Sequence, residues 1–487
     1  MRAVSDLTEL TLIEVASAIA TRAASALDVA TASLKQLRFA AENFHCAVRF
    51  DETILVEARR ADRDLAKGII RGPLHGVPLA HKDLFFRAGR VSACGSRILA
   101  SHQTSQTATV LKRLDDAGAL DIARLHMSEF ALGATGHNDV MGHAANPWDP
   151  TRAPGGSSSG SAIAVASRAV YASLGSDTGG SVRQPAAFCG VVGLKPSAGR
   201  ISRHGMMPLS HTLDTPGCIA RTVADCALLY ETVAGRDALD PTTVDRSVAV
   251  AAVDDRASLA GTKIGMPRNF LFDDLDRDVS LRMEEALDVL RKLGAELVPV
   301  EVPSVDAIGS LLAIIVGVES AALHRRWLQE RPQDYGPQTL ARLHQGLFYP
   351  GASYVEALTL RAQMLAEFNE AVFAKADVLL TPTMPMVPPD MDQSNVGASD
   401  GYSEYLSRFG RCTRLASYLG LPALTVPAGL SVEGLPCGLQ LVGRMFDEAT
   451  LLRIGASFER ESQPLGMPTA CIKAQDVSPS SRKRKYS

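Results

Sequence analysis

Two clusters of serine and glycine stand close together in this chain, Gly155-Gly156-Ser157-Ser158-Ser159-Gly160 and Asp177-Thr178-Gly179-Gly180-Ser181, with Ser157 and Ser181 24 positions apart. Glycine lets backbone approach a ligand closely and adopt conformations that other residues resist. In the second cluster the N–H groups of Thr178, Gly179, Gly180 and Ser181 follow one another beside a hydroxyl, the arrangement that aims donors at the oxyanion of an acyl-transfer intermediate. An alkyl hydroxyl is a weak nucleophile and needs a base within hydrogen-bond reach. Among the 11 histidines His81 is a candidate, although none stands in a triad context. Lysine is the alternative, because burial disfavours the ammonium form and lowers its pKa from about 10.4 toward neutrality. Lys82 sits in the segment Gly72 to Phe86, and Asp83 beside it would point to the opposite face of a strand, so the two would not readily pair. A lysine that does not touch Ser181 can act through a second hydroxyl. Ser157 suits that relay, with Ser158 placed to hydrogen-bond the lysine. The plainer readings are a glycine-rich turn whose serine caps a helix and a flexible Gly/Ser linker; the helical apolar run that starts at Ser161-Ala162-Ile163-Ala164 argues against the linker.

These groups need rigid elements around them. Residues 8–46 carry apolar positions at helical spacing and 52–67 continue as a charged amphipathic helix, which makes residues 1–67 a helical region packed on a catalytic domain of residues 68–470. The segment Gly72 to Phe86 moves from turn residues into a short core strand that ends at Lys82 and Asp83. Helix-like stretches at 106–117, 222–234, 279–293 and 446–461 then alternate with strand-like runs at Lys263 to Met266, Glu296 to Val302, Val378 to Thr381, Ala423 to Val426 and Gly438 to Val442. Such alternation predicts an α/β fold with a mixed sheet covered on both faces by helices. Residues 303–376 read as a helical side layer or lid. The Pro-rich piece Thr381 to Asp390 leads into a polar loop of a length that is more often functional than idle. No repeat is evident.

Hydrophobic residues make up 46% of the 487 and charged residues 21%, with a formal net charge of −3, which is the composition of a globular enzyme. The overall charge implies neither a nucleic-acid nor a membrane partner. The eight cysteines show no CxxC and no Cys/His cluster at metal spacing, so they read as reduced, buried thiols and no metal or organic cofactor is expected. Asp6, Glu9 and Glu14 near the N-terminus do not match an export signal, and the cytoplasm is the expected location. The apolar run Leu311 to Val318 is far shorter than the roughly 18–20 residues of a membrane span and reads as a buried helix. Residues 471–487, with the run Arg482-Lys483-Arg484-Lys485, read as a disordered basic tail.

The segment from Gly155 to Pro196 resembles the defining stretch of the amidase signature family. The resemblance extends to GPLHGVPLAHKDLF around Lys82, MSEFALG at 127–133, NPWDPTRAPGGSSSGS from Asn146, LLTPTMP at 379–385 and GLPCGLQLVGRMFDEATLL at 434–452, and it spans about residues 8–462. It implies a Ser–cis-Ser–Lys triad within the amidase signature fold: Ser181 as nucleophile, Ser157 as relay after a cis Gly156–Ser157 peptide, and Lys82 as base. It also implies an oxyanion hole at Thr178, Gly179, Gly180 and Ser181, Ser158 on the lysine, and Asp177 and Arg183 bracing the loop. The implied activity is cleavage of a carboxylic amide C–N bond through an acyl-enzyme, with release of ammonia or an amine. Carbamates and esters would be side substrates, because the same tetrahedral chemistry serves them.

Two rival readings bear on function. The pentapeptide Gly156-Ser157-Ser158-Ser159-Gly160 fits the G-x-S-x-G elbow of α/β hydrolases, which would make Ser158 the nucleophile, but the prolines at 147, 150 and 154 deny it the core strand that must precede the elbow. The second rival lies within the family: the A subunit of a tRNA-dependent glutamyl or aspartyl amidotransferase, a glutaminase with a partner subunit, shares Gly179-Gly180-Ser181-Val182-Arg183-Gln184-Pro185. The segment His344 to Tyr354 reads closer to stand-alone amidases, which sets a small-molecule amide as the expected substrate and a homodimer as the default assembly. Met127, Gly156, Gln184 and Met207 are the expected substrate contacts. Met206, Leu347, Phe348, His137, Asn138, residues 204–213, the helices of 303–350 and the loop 382–400 complete the expected pocket.

Overall fold

The computed structural model describes residues 7–51, 53–248, 258–395, 407–462 and 465–476. Eleven strands among them form two sheets. The smaller, in the order β1-β3-β2, joins β1 (Ala47–Phe50), β2 (Pro78–Lys82) and β3 (Leu120–Leu125). The larger follows the order β4-β6-β5-β10-β11-β9-β7-β8. Its members are β4 (Ala172–Asp177), β5 (Val192–Lys195), β6 (Thr215–Ala220), β7 (Lys263–Pro267), β8 (Glu296–Val300), β9 (Val378–Pro382), β10 (Ala423–Leu430) and β11 (Pro436–Gly443). Pairing is antiparallel from β4 to β9 and parallel across β9-β7-β8, so the sheet is mixed, as expected.

The helices form where apolar spacing and caps coincide. Leu12–Ala20 starts at a capping box, with the Thr11 hydroxyl accepting from the Glu14 N–H and the Glu14 carboxylate accepting from the Thr11 N–H. Ala26–Phe44 is capped by Ser25 and buries Val29, Leu37 and Phe44. Ile54–Ala66, Thr109–Asp116, Val223–Val233, Arg277–Lys292 and Glu448–Ser462 occupy the positions that periodicity marks. Central strands such as β9, with Val378, Leu379 and Leu380 fully buried, read as continuous apolar runs because both faces are covered. Burying each such side chain contributes roughly 1.5–3 kcal/mol.

The helix Ser159–Ala166 lies between the two serine clusters and is buried along its whole length. It packs so closely that a Cβ at Gly160 would fall 2.3 Å from the Cys46 carbonyl oxygen and 2.4 Å from the His126 nitrogen. Residues 303–376 form the helices Val305–Glu330, Pro337–Gly346 and Gly351–Phe368. The first is, by length and composition alone, apolar enough to cross a membrane, with a mean hydropathy of 1.8. Within its run 311–318 only Leu312 and Ile315 are buried, so the expectation of a buried helix holds for one face only. All eight cysteines are free and buried. The basic run 482–485 lies outside the described residues.

Candidate active site

Strand β2 delivers Lys82 from the small sheet toward β4 of the large one. The side chain is fully buried, and its Nζ lies 2.7 Å from Ser157 Oγ and 2.9 Å from Ser176 Oγ. Burial drives its pKa down to about 7, against the opposing pull of the Asp214 and Asp177 carboxylates and of Cys94. Asp83 faces elsewhere, as strand alternation requires, and accepts from the N–H groups of Ala93 and Cys94 at 3.0 and 3.1 Å. His81 is also turned away from Lys82. Its Nδ1 accepts from the Leu174 N–H at 3.1 Å, and burial lowers its pKa to about 3, which makes it a neutral structural acceptor rather than the base.

The peptide Gly156–Ser157 is cis. The Ser157 carbonyl accepts from the Ser128 N–H at 3.2 Å, and the Ser158 N–H donates to the Ser181 carbonyl at 3.2 Å, which ties one serine loop to the other. The expectation that Ser158 holds the lysine is corrected: its hydroxyl donates to the Ser176 carbonyl and accepts from the Ser176 N–H, both at 3.3 Å. The side chain of Ser176, one residue before the end of β4, is the one that holds Lys82 together with Ser157. The G-x-S-x-G alternative falls with this arrangement, since Ser158 is fully buried and no strand leads directly into it.

Beyond β4 the chain turns through Thr178 to Ser181. Gly180 has φ +136, a conformation L residues rarely adopt, and a Cβ there would lie 2.4 Å from Thr413 Oγ1. Among the described residues no acceptor meets the N–H groups of Thr178, Gly179, Gly180 and Ser181. Thr178, Gly179 and Ser181 line a cavity of about 500 Å³ whose other walls are Ala131 to Ala134, one face of Val305–Glu330, and the segment from Ser407 to Arg414. Thr178 Oγ1 donates to Asp214 at 2.6 Å, and Asp214 also accepts from the N–H groups of Leu209 and Ser210.

Asp177 and Arg183 brace this loop from behind. Both are fully buried; Arg183 Nε and Nη2 donate to the two carboxylate oxygens at 2.9 Å each, and the rest of the guanidinium reaches the Thr413 carbonyl, Gln440 Oε1 and Ser417 Oγ. Burial alone would raise the Asp177 pKa, but the Arg183 charge and hydrogen bonds, with Lys195, outweigh it and hold the carboxyl below its usual range. Arg183→Met would leave a buried carboxylate without its cation. The expected loss of folding stability is about 3–5 kcal/mol, read from the urea unfolding midpoint at neutral pH.

Of the expected substrate contacts, only Gln184 lines the cavity. Met127 is 1% exposed, with its carbonyl held by the Asn138 side chain. Gly156 is buried, and a Cβ there would sit 3.0 Å from the Gly136 nitrogen and from Ser128 Oγ. Met207 packs against the core, with its N–H donating to the Leu84 carbonyl, and Met206 is buried in the core. Leu347 and Phe348 face solvent at 53% and 83% exposure, and neither lines the cavity. An apolar side chain is equally at home in core, cavity or patch, so residue type alone could not separate these cases. His137, Asn138 and residues 382–395 lie outside the cavity lining, and 396–400 fall outside the described residues; of 204–213, Leu209 lines it. Sequence reasoning missed Ser176, Asp214 and Thr413. A serine one position before Asp177 within a buried strand was the only signal for Ser176; the other two lie far along the chain in loops. No group of His, Cys, Asp and Glu among the described residues could hold a metal ion.

The Amidase family pattern matches residues 28–452. A relative from Lachnospira eligens, named as the A subunit of Glutamyl-tRNA(Gln) amidotransferase, is 38% identical over 482 residues, covering 93% of this chain and 98% of that protein. The structure of the Thermotoga maritima protein of the same name superposes with a TM-score of 0.77 at 30% identity, covering 96% of this chain and 97% of the other. The native peptide amidase from Stenotrophomonas maltophilia superposes at 0.82 with 29% identity, covering 94% and 98%. With a pattern that spans most of its length and relatives alike from end to end, this chain belongs to the amidase family.

Proposed function

We propose that the chain cleaves a carboxylic amide C–N bond through an acyl-enzyme on Ser181. The observation that carries this reading is the fully buried Lys82, with a pKa brought down to about 7, 2.7 Å from Ser157 Oγ. In its neutral form the lysine takes the Ser157 proton while Ser157 takes the proton of Ser181, and Ser181 Oγ bonds to the carbonyl carbon. The carbonyl oxygen becomes an oxyanion facing the N–H groups of the Thr178 to Ser181 turn. Collapse of this intermediate breaks the C–N bond, and the proton returns along Lys82 and Ser157 to the leaving nitrogen. Water then adds to the acyl-enzyme by the same relay, frees the acid and restores Ser181.

For the acyl donor, the name of the relatives supports glutamine, with the released ammonia handed to a partner protein. The cavity supports it too, since its lining includes charged side chains of both signs, Asp306 with Arg342 and Arg414, as an amide that bears both charges would require. This reverses the preference drawn from His344 to Tyr354. The stand-alone alternative is supported by the peptide amidase neighbour and by the apolar wall of Leu312, Ala313, Ile314 and Val316. A hydrolysis panel of glutamine, aliphatic and aryl amides, anilides and carbamates, run against Ser181→Ala, separates the two. Glutamine is expected to exceed an uncharged amide of equal length in kcat/KM by about tenfold or more, the worth of a charge-assisted hydrogen bond. Turnover of neutral amides with glutamine inert would reject the glutaminase reading and retain the stand-alone one.

A further inference from the structure

Thr413 is fully buried, 232 positions after Ser181 in the chain. Its Oγ1 lies 2.8 Å from the Gly179 carbonyl oxygen, 3.0 Å from Gln184 Nε2 and 3.3 Å from the Gly410 carbonyl oxygen. A hydroxyl has one hydrogen, and a carbonyl can only accept. The proton therefore goes to Gly179, the nearer carbonyl, and the oxygen accepts from Gln184. The Gly179–Gly180 peptide is trans, so its C=O and N–H point in opposite directions. Fixing the Gly179 oxygen on the Thr413 side turns the Gly180 N–H the other way, and both chain neighbours of Gly180, Gly179 and Ser181, line the cavity. Thr413 is itself fixed, because its carbonyl accepts from Arg183 Nη1 at 2.8 Å.

We propose that Thr413 is a positioning residue for catalysis: its hydroxyl pins the Gly179 carbonyl and so aims the Gly180 N–H at the substrate's developing oxyanion. The same hydroxyl orients Gln184. With its proton committed to Gly179, Thr413 can only accept from that side chain, so the carboxamide nitrogen faces Thr413 and Oε1 is turned away from it. Gln184 lines the cavity, which gives the pocket an acceptor for a substrate N–H.

This inference rests on the acyl-enzyme reading, and Ser181→Ala is the control that keeps the two apart. Thr413→Val preserves the shape and removes the hydroxyl. It is expected to lower kcat by about 10- to 100-fold, somewhat less than outright deletion of one oxyanion donor. KM should change by less than about threefold, because the interaction strengthens only in the transition state. Inhibition by a boronic acid analogue, which forms a tetrahedral adduct, should weaken by the same factor as kcat. Thr413→Ser should recover kcat to within about threefold of the parent. Should the valine variant not fold, Thr413→Ala is compared with Thr413→Ser in the same assays. The proposal is overturned if the hydroxyl-free variant retains parental kcat, if serine is as damaging as valine, or if the loss falls on KM alone. Turnover by Ser181→Ala would instead overturn the acyl-enzyme reading.

Discussion

Ser181→Ala is expected to lower amide turnover by roughly 10⁴- to 10⁶-fold, the range for loss of a nucleophile that acts as one unit with its base. The fold should be indifferent to the change. Ser181 is partly exposed to the cavity, and its hydroxyl makes no hydrogen bond among the described residues; the tie to the first serine loop runs through its carbonyl. The stability cost should therefore stay within about 0.5 kcal/mol. Steady-state rates beside a urea titration check both halves, and a variant that is inactive because it is unfolded would not count as support.

Lys82→Met should be nearly as damaging, with a loss of roughly 10⁴-fold, the upper end for a general base. Methionine fills a similar volume but can take no proton from Ser157. The parent's kcat/KM should rise with pH through about 7 and level off above it, because only the neutral amine accepts the proton; the residual activity of the variant should lack that limb. Stability carries a second signature. The folded chain gives up the Lys82 proton near pH 7 whereas the unfolded chain keeps it to about 10.5, so between those values the unfolded state binds more protons and stability rises with pH. The parent loses that contribution as pH falls from 10.5 to 7 and has none left to lose below. Relative to the parent, Lys82→Met should become more stable across that descent, which denaturant titrations at several pH values would read.

The sequence exposed the parts of this site that depend on local spacing. The end-of-strand position of Lys82, the alternation that turns Asp83 away, and the glycines that shape the Thr178 to Ser181 turn are properties of a few consecutive residues. So are the helices with apolar residues at helical period, such as Ile54–Ala66 and Arg277–Lys292. What stayed hidden depends on contacts between distant segments. Ser176 rather than Ser158 meets the lysine because helix Ser159–Ala166 leads Ser158 back onto the β4 backbone, a matter of which neighbouring hydroxyl the packing turns inward. Asp214 and Thr413 reach the Thr178 to Ser181 turn from loops that no short window connects to it. Strand β4 itself, Ala172-Ser173-Leu174-Gly175-Ser176-Asp177, is too rich in small residues to announce a strand. Strand β3 carries Asp121 and Arg124, which look exposed in sequence but pair with each other at 2.8 Å in the interior.

The rate at which a fluorophosphonate labels the enzyme, followed as a function of pH and located by peptide mapping, tests the central claim most directly. It isolates attack by the nucleophile from substrate identity and product release. The adduct is expected on Ser181, formed at a rate that climbs through a single ionisation near pH 7 in the parent and loses that dependence in Lys82→Met. Labelling at Ser158, or labelling of Ser181 at a rate that ignores both pH and the loss of Lys82, would contradict the account.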